Sequence, residues 1–475
     1  MPNTLSRLLL LVLCGLCFNL DCLSQNTFPD VDPDSDVTVG KIYITGNKKT
    51  LNSIILRELN FEEGQTLKIK DFAEIVELDK QKLINTRLFQ TVEIIPLFLS
   101  STNAEVLIRV QERWYVFPVP VFKLADRNFT EWWVNQNRDF SRVNYGMQLF
   151  HLNFSGRNDK LVLRTQFGFT KQYSFQYSIP YINQSQTAGL TVSTSFATNK
   201  TVSYASDGHR LQFVESDNTI RRLFSSSGTI TFRPSFYNRH SFSLGYNRTS
   251  IADTVYRLNN NYFQDNSILQ EYFAFGYSFV HDNRDYVAYP LKGNRFSGSI
   301  SQLGLGIFDD INMFTTRLDY SAYTPISDKL SWANSFEVYK SFTDNIPYLV
   351  RAGFGYNPNF IRGYERYVVE SDLLASYRTA LRFQIIKGVK ELNKRSMIDQ
   401  FRTLPYAFYL KLFVDTGYAG DPLQSNTNNF YNNKWIGSMG LGIDMVTLYD
   451  FVVRFEYSMN REGDTGFFVN FRSAL

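Results

Sequence analysis

Cysteine is almost missing: the 475-residue chain has three, Cys14, Cys17 and Cys22, all in one N-terminal segment. Everything after Cys22 therefore folds without disulfides and works without thiol chemistry. Cys14-Gly-Leu-Cys17 has the spacing of a redox motif but sits inside an apolar run, where such chemistry has no place. Long apolar runs are missing too. Beyond the N-terminus nothing approaches the ~18 consecutive apolar residues of a membrane-crossing helix, which excludes ordinary transmembrane helices. Net charge is only +4, too small for a nucleic-acid partner. The four histidines, His151, His209, His240 and His281, are scattered without ligand spacing, so no metal site is expected. Gly304-Leu-Gly306 and Gly440-Leu-Gly442 are not followed by helical patterns and do not read as dinucleotide loops. In strands they mark kinks or close backbone approach. No serine stands in a nucleophile elbow. The reading is a non-enzyme without cofactor.

What the chain has instead is aromatic residues, 42 Phe and 29 Tyr, at a mean hydropathy of -0.24. That combination leaves a transmembrane barrel open, because every second residue of a barrel strand faces the lumen and dilutes the apolar ones. At the start, Arg7, the apolar run Leu8 to Phe18 and Ser24 describe a signal peptide over 1–24. The protein is thus expected to be exported. Residues 25–36, rich in Asp, Pro and Ser, read as a linker.

Two regions with different periods follow. Within 37–113, "VTVGKIYITG" alternates as a strand and ends in a Gly46-Asn47 turn. Leu51 to Leu59 is spaced helically, as is a longer helix through Phe72, Ile75, Val76, Leu83 and Ile84 that ends near Leu88. "TVEIIPLFL" and "AEVLIRVQE" read as two strands. This order makes one small α+β domain. From Trp114 to the end, alternation replaces helical spacing. It is clearest in "YAFYLKLFVDTGY", where Phe408, Leu410, Leu412 and Val414 share one face and Tyr409, Lys411, Phe413, Asp415 and Gly417 the other. Comparable segments begin near Tyr145, Leu161, Thr187, Leu223, Ser241, Glu271, Phe296, Met313, Leu330, Leu373, Trp435 and Phe451. At about 22 residues per strand and connection, 114–475 accommodates about sixteen strands, an even number suited to an all-β outer-membrane barrel.

Resemblance sharpens both regions. "IYITGN", "LFQTV" and "VQER", in this order, resemble a POTRA domain, the periplasmic module of outer-membrane assembly proteins. In the barrel, "HDNRDYVAYPLKGNRF", with Asp282, Arg284, Asp285, Pro290 and Gly293, resembles a segment of the BamA/TamA-type family that follows a mid-barrel strand. "IRGY", with Arg362, Gly363 and Tyr364, resembles the family's arginine turn at the tip of its sixth outer loop. "FVDTG", with Phe413, Asp415 and Gly417, resembles the strand motif whose aspartate receives that arginine. The C-terminal stretch with Gly466, Val469 and Phe471 resembles the β-signal that marks barrels for insertion, with four further residues after Phe471.

Strand counting checks the register. Counted back from the C-terminus, Arg362 precedes the fifth strand and Asp415 lies on the fourth. A lumen-facing carboxylate is costly without a partner, and a bidentate arginine would satisfy it. Gly363 would let the turn approach the wall, with Tyr364 packed inside. Arg378, Arg382 and Arg454 have lumen-facing parity as well and compete for Asp415. The resemblance implies a protein in the outer membrane of a Gram-negative cell, its POTRA domain in the periplasm. It would act in assembly and insertion of outer-membrane proteins or in translocation of a partner. Its partners would be outer-membrane lipid and unfolded or partner proteins, met through the POTRA edge strand and the barrel seam. A passive channel and a dedicated secretion partner for one protein are the alternatives. General insertases of the family carry several POTRA domains, whereas one fits here, which points to a specialised or auxiliary member.

Overall fold

The computed structural model describes residues 33–126, 131–183, 185–235, 237–264, 266–308, 310–356, 359–391, 403–421, 429–447 and 451–472. The signal-peptide reading with its three cysteines, and most of the linker, lie outside the described residues. The chain divides into two compact units near Trp114.

The N-terminal domain contains β1 (Asp36–Thr45), α1 (Asn52–Leu56), β2 (Thr66–Lys68), α2 (Ile69–Asn85), β3 (Phe89–Ser100) and β4 (Asn103–Glu112). Its sheet order is β2-β1-β4-β3, with β1 parallel to β4 and the other pairs antiparallel. Alternation on β3 and β4 buries Ile94, Val106 and Ile108, and helical spacing on α2 buries Phe72, Val76 and Leu83. Asp71 in the first turn of α2 and Lys82 in the last complement the helix dipole. Both helices are shorter than their apolar spacing implies, because α1 stops at Leu56 and α2 at Asn85. Beyond Asn85, Arg87 takes a positive φ of 61° and turns the chain into β3. The short β2 has no counterpart in the sequence reading. Three residues are too few for alternation to show, and backbone pairing with β1 defines the strand.

The second unit begins with β5 (Val116–Leu124), β6 (Val143–Leu152), β7 (Lys160–Gly168), β8 (Thr170–Ile179) and β9 (Ala188–Asn199). A small hairpin, β10 (Thr201–Asp207) and β11 (Arg210–Glu215), precedes β12 (Arg221–Phe232) and β13 (Asn238–Ile251). After the one-and-a-half-turn α3 (Asp253–Leu258) come β14 (Leu269–Asp282), β15 (Gly293–Leu303), β16 (Met313–Pro325) and β17 (Leu330–Ser341). The long connection 342–372 holds two short strands, β18 (Gly353–Phe354) and β19 (Val369–Glu370), that pair with each other. The chain closes with β20 (Leu373–Glu391), β21 (Thr403–Gly420), β22 (Trp435–Thr447), β23 (Phe451–Asn460) and β24 (Thr465–Arg472).

Sixteen of these strands form one antiparallel sheet with neighbours in chain order, from β5 at one end to β24 at the other. The hairpin β10–β11 and the pair β18–β19 stand outside it. On β21 the exposed residues are Leu410, Leu412 and Val414, whereas Lys411, Phe413 and Asp415 are buried. An apolar outside and a polar, filled inside is the pattern of a barrel in lipid. Gly304 and Gly306, expected in a strand, fall in the turn after β15 with φ of 82° and 75°. Gly440 does lie within β22, and an added Cβ there would meet the Phe413 ring at 2.5 Å.

Candidate functional site

The connection 342–372 enters the lumen between β17 and β20, and its tip carries Ile361, Arg362, Gly363 and Tyr364, of which Ile361, Arg362 and Tyr364 are buried. Apolar packing brings it there. Ile361, Tyr364, Phe354 and Val369 share one core with the wall residues Leu374, Ala419 and Ile436. Gly417 leaves the space for this, since a Cβ at that position would touch Ile361 at 2.9 Å. Gly363 has φ of 84°, and its would-be Cβ lies 3.1 Å from Ser438 on the wall. The turn thus needs glycine for conformation and for closeness.

This placement delivers the Arg362 guanidinium to Asp415, which is 1% exposed. Nε donates to Oδ2 at 2.7 Å, Nη2 donates to Oδ1, and the Arg362 backbone N–H donates to Oδ2 at 3.2 Å. Among the described residues, every hydrogen bond to the Asp415 carboxylate comes from Arg362. The guanidinium also lies 3.9 Å above the Phe413 ring, a cation–π contact from the same strand. The competing arginines go elsewhere. Arg378 stands opposite Asp415 in the β20–β21 register, yet its Nη2 donates to Glu337 at 3.5 Å. Arg382 donates to the Pro290 carbonyl at 3.0 Å. Arg454 has no hydrogen bond to Asp415.

Arg362 belongs to a larger cluster. Its Nη1 donates to Glu456 Oε1 at 3.4 Å on β23. The Lys411 ammonium donates to the same Glu456 oxygen at 2.8 Å and to Asp444 Oδ1 on β22 at 2.7 Å. The Tyr289 hydroxyl donates to Asp444 Oδ2 at 2.9 Å, and the Asn470 amide on β24 donates to Glu456 Oε2 at 3.1 Å. Two cations and three carboxylates are therefore satisfied together inside the wall, which is the condition for burying charge at all. Tyr364 is held separately. Its hydroxyl donates to the Glu462 carboxylate and its ring meets Tyr431 edge-on at 5.3 Å.

The mid-barrel motif makes a turn after β14, away from Arg362. Arg284 donates to Asp282 at 2.7 Å and 2.6 Å, and Asp285 accepts from the Leu291 N–H at 3.0 Å. Gly293 has φ of 97° where a Cβ would strike the Asn283 carbonyl at 2.5 Å. Pro290 contributes its carbonyl to Arg382. In the C-terminal stretch, Gly466 is the second residue of β24 and not near its end, and the Phe468 ring covers it at 2.5 Å from a would-be Cβ. A glycine covered by an aromatic ring acts as a packing device in the strand. Val469 stands opposite Phe455 on β23, and the Phe471 side chain lies outside the described residues. Tyr289, Lys411, Asp444, Glu456 and Asn470 are the members that motif reading did not assemble. For Glu456 a signal existed, because it shares the parity of Arg454.

A sixteen-stranded antiparallel sheet with an apolar outside, a loop locked in its lumen and a small α+β domain before it defines an outer-membrane barrel with a periplasmic appendage. Residues 153–467 match the model of the Omp85 superfamily domain, and residues 37–113 match that of POTRA, described as a surface antigen variable number repeat. The chain belongs to the Omp85 superfamily: it is an outer-membrane β-barrel protein of the BamA/TamA type whose single POTRA domain lies in the periplasm. Among solved structures it is similar to BamA from Haemophilus ducreyi lacking POTRA domains 1-3, at 16% identity and a TM-score of 0.63, covering 92% of this chain and 83% of that one. It is also similar to CdiB from Escherichia coli, at 10% identity and TM-score 0.56, and to CdiB from Acinetobacter baumannii, at 14% and 0.53. These two alignments cover 92% of this chain and 75% and 73% of theirs. No curated protein sequence matches the chain. With a periplasmic domain before β5, chain connections alternate from there. The described residues of the connections 200–220, 252–268, 342–372, 421–434 and 461–464 are on the outer side.

Proposed function

We propose that this protein assembles or translocates other proteins at the outer membrane without catalysing a chemical reaction, by pairing client strands with strands of its own. The Arg362 lock carries this reading. It fixes β21, β22 and β23 to one loop and, through Glu456 and Asn470, reaches β24 at the end of the sheet. The other end of the sheet is β5, in which Pro118 and Pro120 carry no N–H to donate. A sheet stiffened at one end and short of donors at the other favours a seam that parts beside β5, where an extended client segment finds backbone groups to pair with. In the POTRA sheet β3, twelve residues long, is the longer of the two edge strands and the other surface for such pairing.

Photo-crosslinkers placed along β5 and β24 in cells test the reading. Adducts with nascent outer-membrane or exported proteins, together with a lowered outer-membrane complement on depletion, support it. A large, steady, ion-selective conductance with no protein adducts would instead make this a passive channel.

A further inference from the structure

The hairpin β10–β11 on the outer side has a two-residue turn, Gly208-His209, and both residues have positive φ, 53° and 62°. A hairpin turn of that conformation ordinarily takes Asn-Gly or Asp-Gly. Here the second position is a histidine, and this histidine, at a loop tip, is 0% exposed. Both ring nitrogens are engaged by backbone from two different connections. Nε2 accepts the Tyr431 N–H at 2.9 Å, and Nδ1 lies 3.2 Å from the Val368 carbonyl, to which it donates. The His209 carbonyl in turn accepts the Val368 N–H at 2.8 Å. Phe430 stands edge-on to the imidazole with ring centroids 4.7 Å apart, and Tyr431 lies against it at 4.8 Å. Beside it, Ser206 donates to Glu370 at 2.8 Å, and Asn432 donates to the Glu370 carbonyl at 2.7 Å. Val368 and Glu370 belong to the connection that carries Arg362; Tyr431 and Asn432 belong to the connection between β21 and β22.

We propose that His209 is a proton-sensitive latch of the outer mouth, whose neutral ring ties the hairpin to both connections and whose protonation releases them. Geometry supplies the reason. With Nδ1–H given to Val368, the tautomer is set and Nε2 must accept. A proton added at Nε2 would point at the Tyr431 N–H, replacing an attraction by a donor–donor clash in a buried place. The titratable and charged groups within two residues of the ring or of its hydrogen-bond partners are Asp207 and Arg210 on the hairpin, Arg366, Tyr367 and Glu370 on the second connection, and Tyr431 on the third. Neither ring nitrogen is hydrogen-bonded to any of their side chains. Burial accordingly holds the imidazole below its ordinary range, with the Val368 carbonyl opposing weakly. The sign follows: a histidine depressed in the closed state stabilises closure above the free-imidazole value of about 6.5, and that stabilisation is lost as pH falls.

The experiment is conductance of the full-length protein in planar bilayers at about pH 7.5 and about pH 5, either side of free imidazole. The wild type is expected to spend several-fold more time open at the acid pH, the direction that an imidazole depressed in the closed state requires. His209→Ala is expected to be open at both, and His209→Gln, which does not titrate, to lose the acid response. Heat-modifiable migration on gels reports whether each variant keeps its barrel. Acid opening that persists in both His209→Ala and His209→Gln, or a wild type indifferent to pH, overturns the proposal.

Discussion

In the POTRA domain, the inward faces of the sheet and of α2 carry Ile94, Val106, Ile108, Phe72 and Leu83, and burial of these side chains drives folding. In the barrel, the inward face of β21 carries Lys411, Phe413 and Asp415, and the aliphatic residues between them point outward. The two regions therefore bury opposite chemistry. Lipid accepts the barrel's apolar face, so that face does not drive the strands together. Beside the apolar core at the loop tip, what fills this part of the lumen is satisfied charge, three carboxylates sharing two cations. A dry core tolerates gradual repacking; a buried ion cluster loses much at once when one member goes.

Arg362→Ala tests this contrast most severely. It leaves Asp415 buried with only the backbone N–H of residue 362, and the expected loss is about 3–5 kcal/mol, the range for breaking a buried pair. The midpoint temperature of heat-modifiable migration should fall, and the connection 342–372 should become open to added protease. An unchanged midpoint, with Asp415 then paired to Arg378, would show that the lumen reorganises as freely as a dry core.

Leu83→Ala strikes the other region, removing a fully buried side chain from α2. A cavity of this kind costs about 2–5 kcal/mol. Amide exchange in residues 37–113 of the full-length protein should accelerate, while barrel migration stays as in the wild type. A fall in both would mean that the two units do not respond separately.

The extent to which sequence already carried this comparison differs by element. Parity on "YAFYLKLFVDTGY" located Asp415 on the inner face, and counting strands from the C-terminus put Arg362 in the connection before β20. Both depend on a local pattern of period two. β5 and β8 went unmarked for local reasons. "VFPVPVFKL" is interrupted by prolines, and "TKQYSFQYSI" alternates aromatic with polar residues without an aliphatic face. The ion cluster was beyond reach for another reason: Asp415, Asp444, Glu456 and Asn470 come from four successive strands, and only their stagger brings them level. Likewise His209 looked like one of four scattered histidines, because the connections that engulf it are distant in the chain.

The smallest effect is the most discriminating for the barrel's own logic. Leu412 is 56% exposed and Phe413, its neighbour, is 3% exposed. In water-soluble β-structure an outward row of Leu410, Leu412 and Val414 would be an oddity, whereas in a lipid-facing strand each exchanges one apolar neighbour for another. Leu412→Ala should therefore lower barrel stability by less than about 1 kcal/mol, because lipid fills the space left and no cavity persists. Read by the same migration assay, a loss several times larger would place Leu412 against protein and invert the face assignment of β21. Asp415 would then stand on the outer face, and the lock on Arg362 would lose its basis.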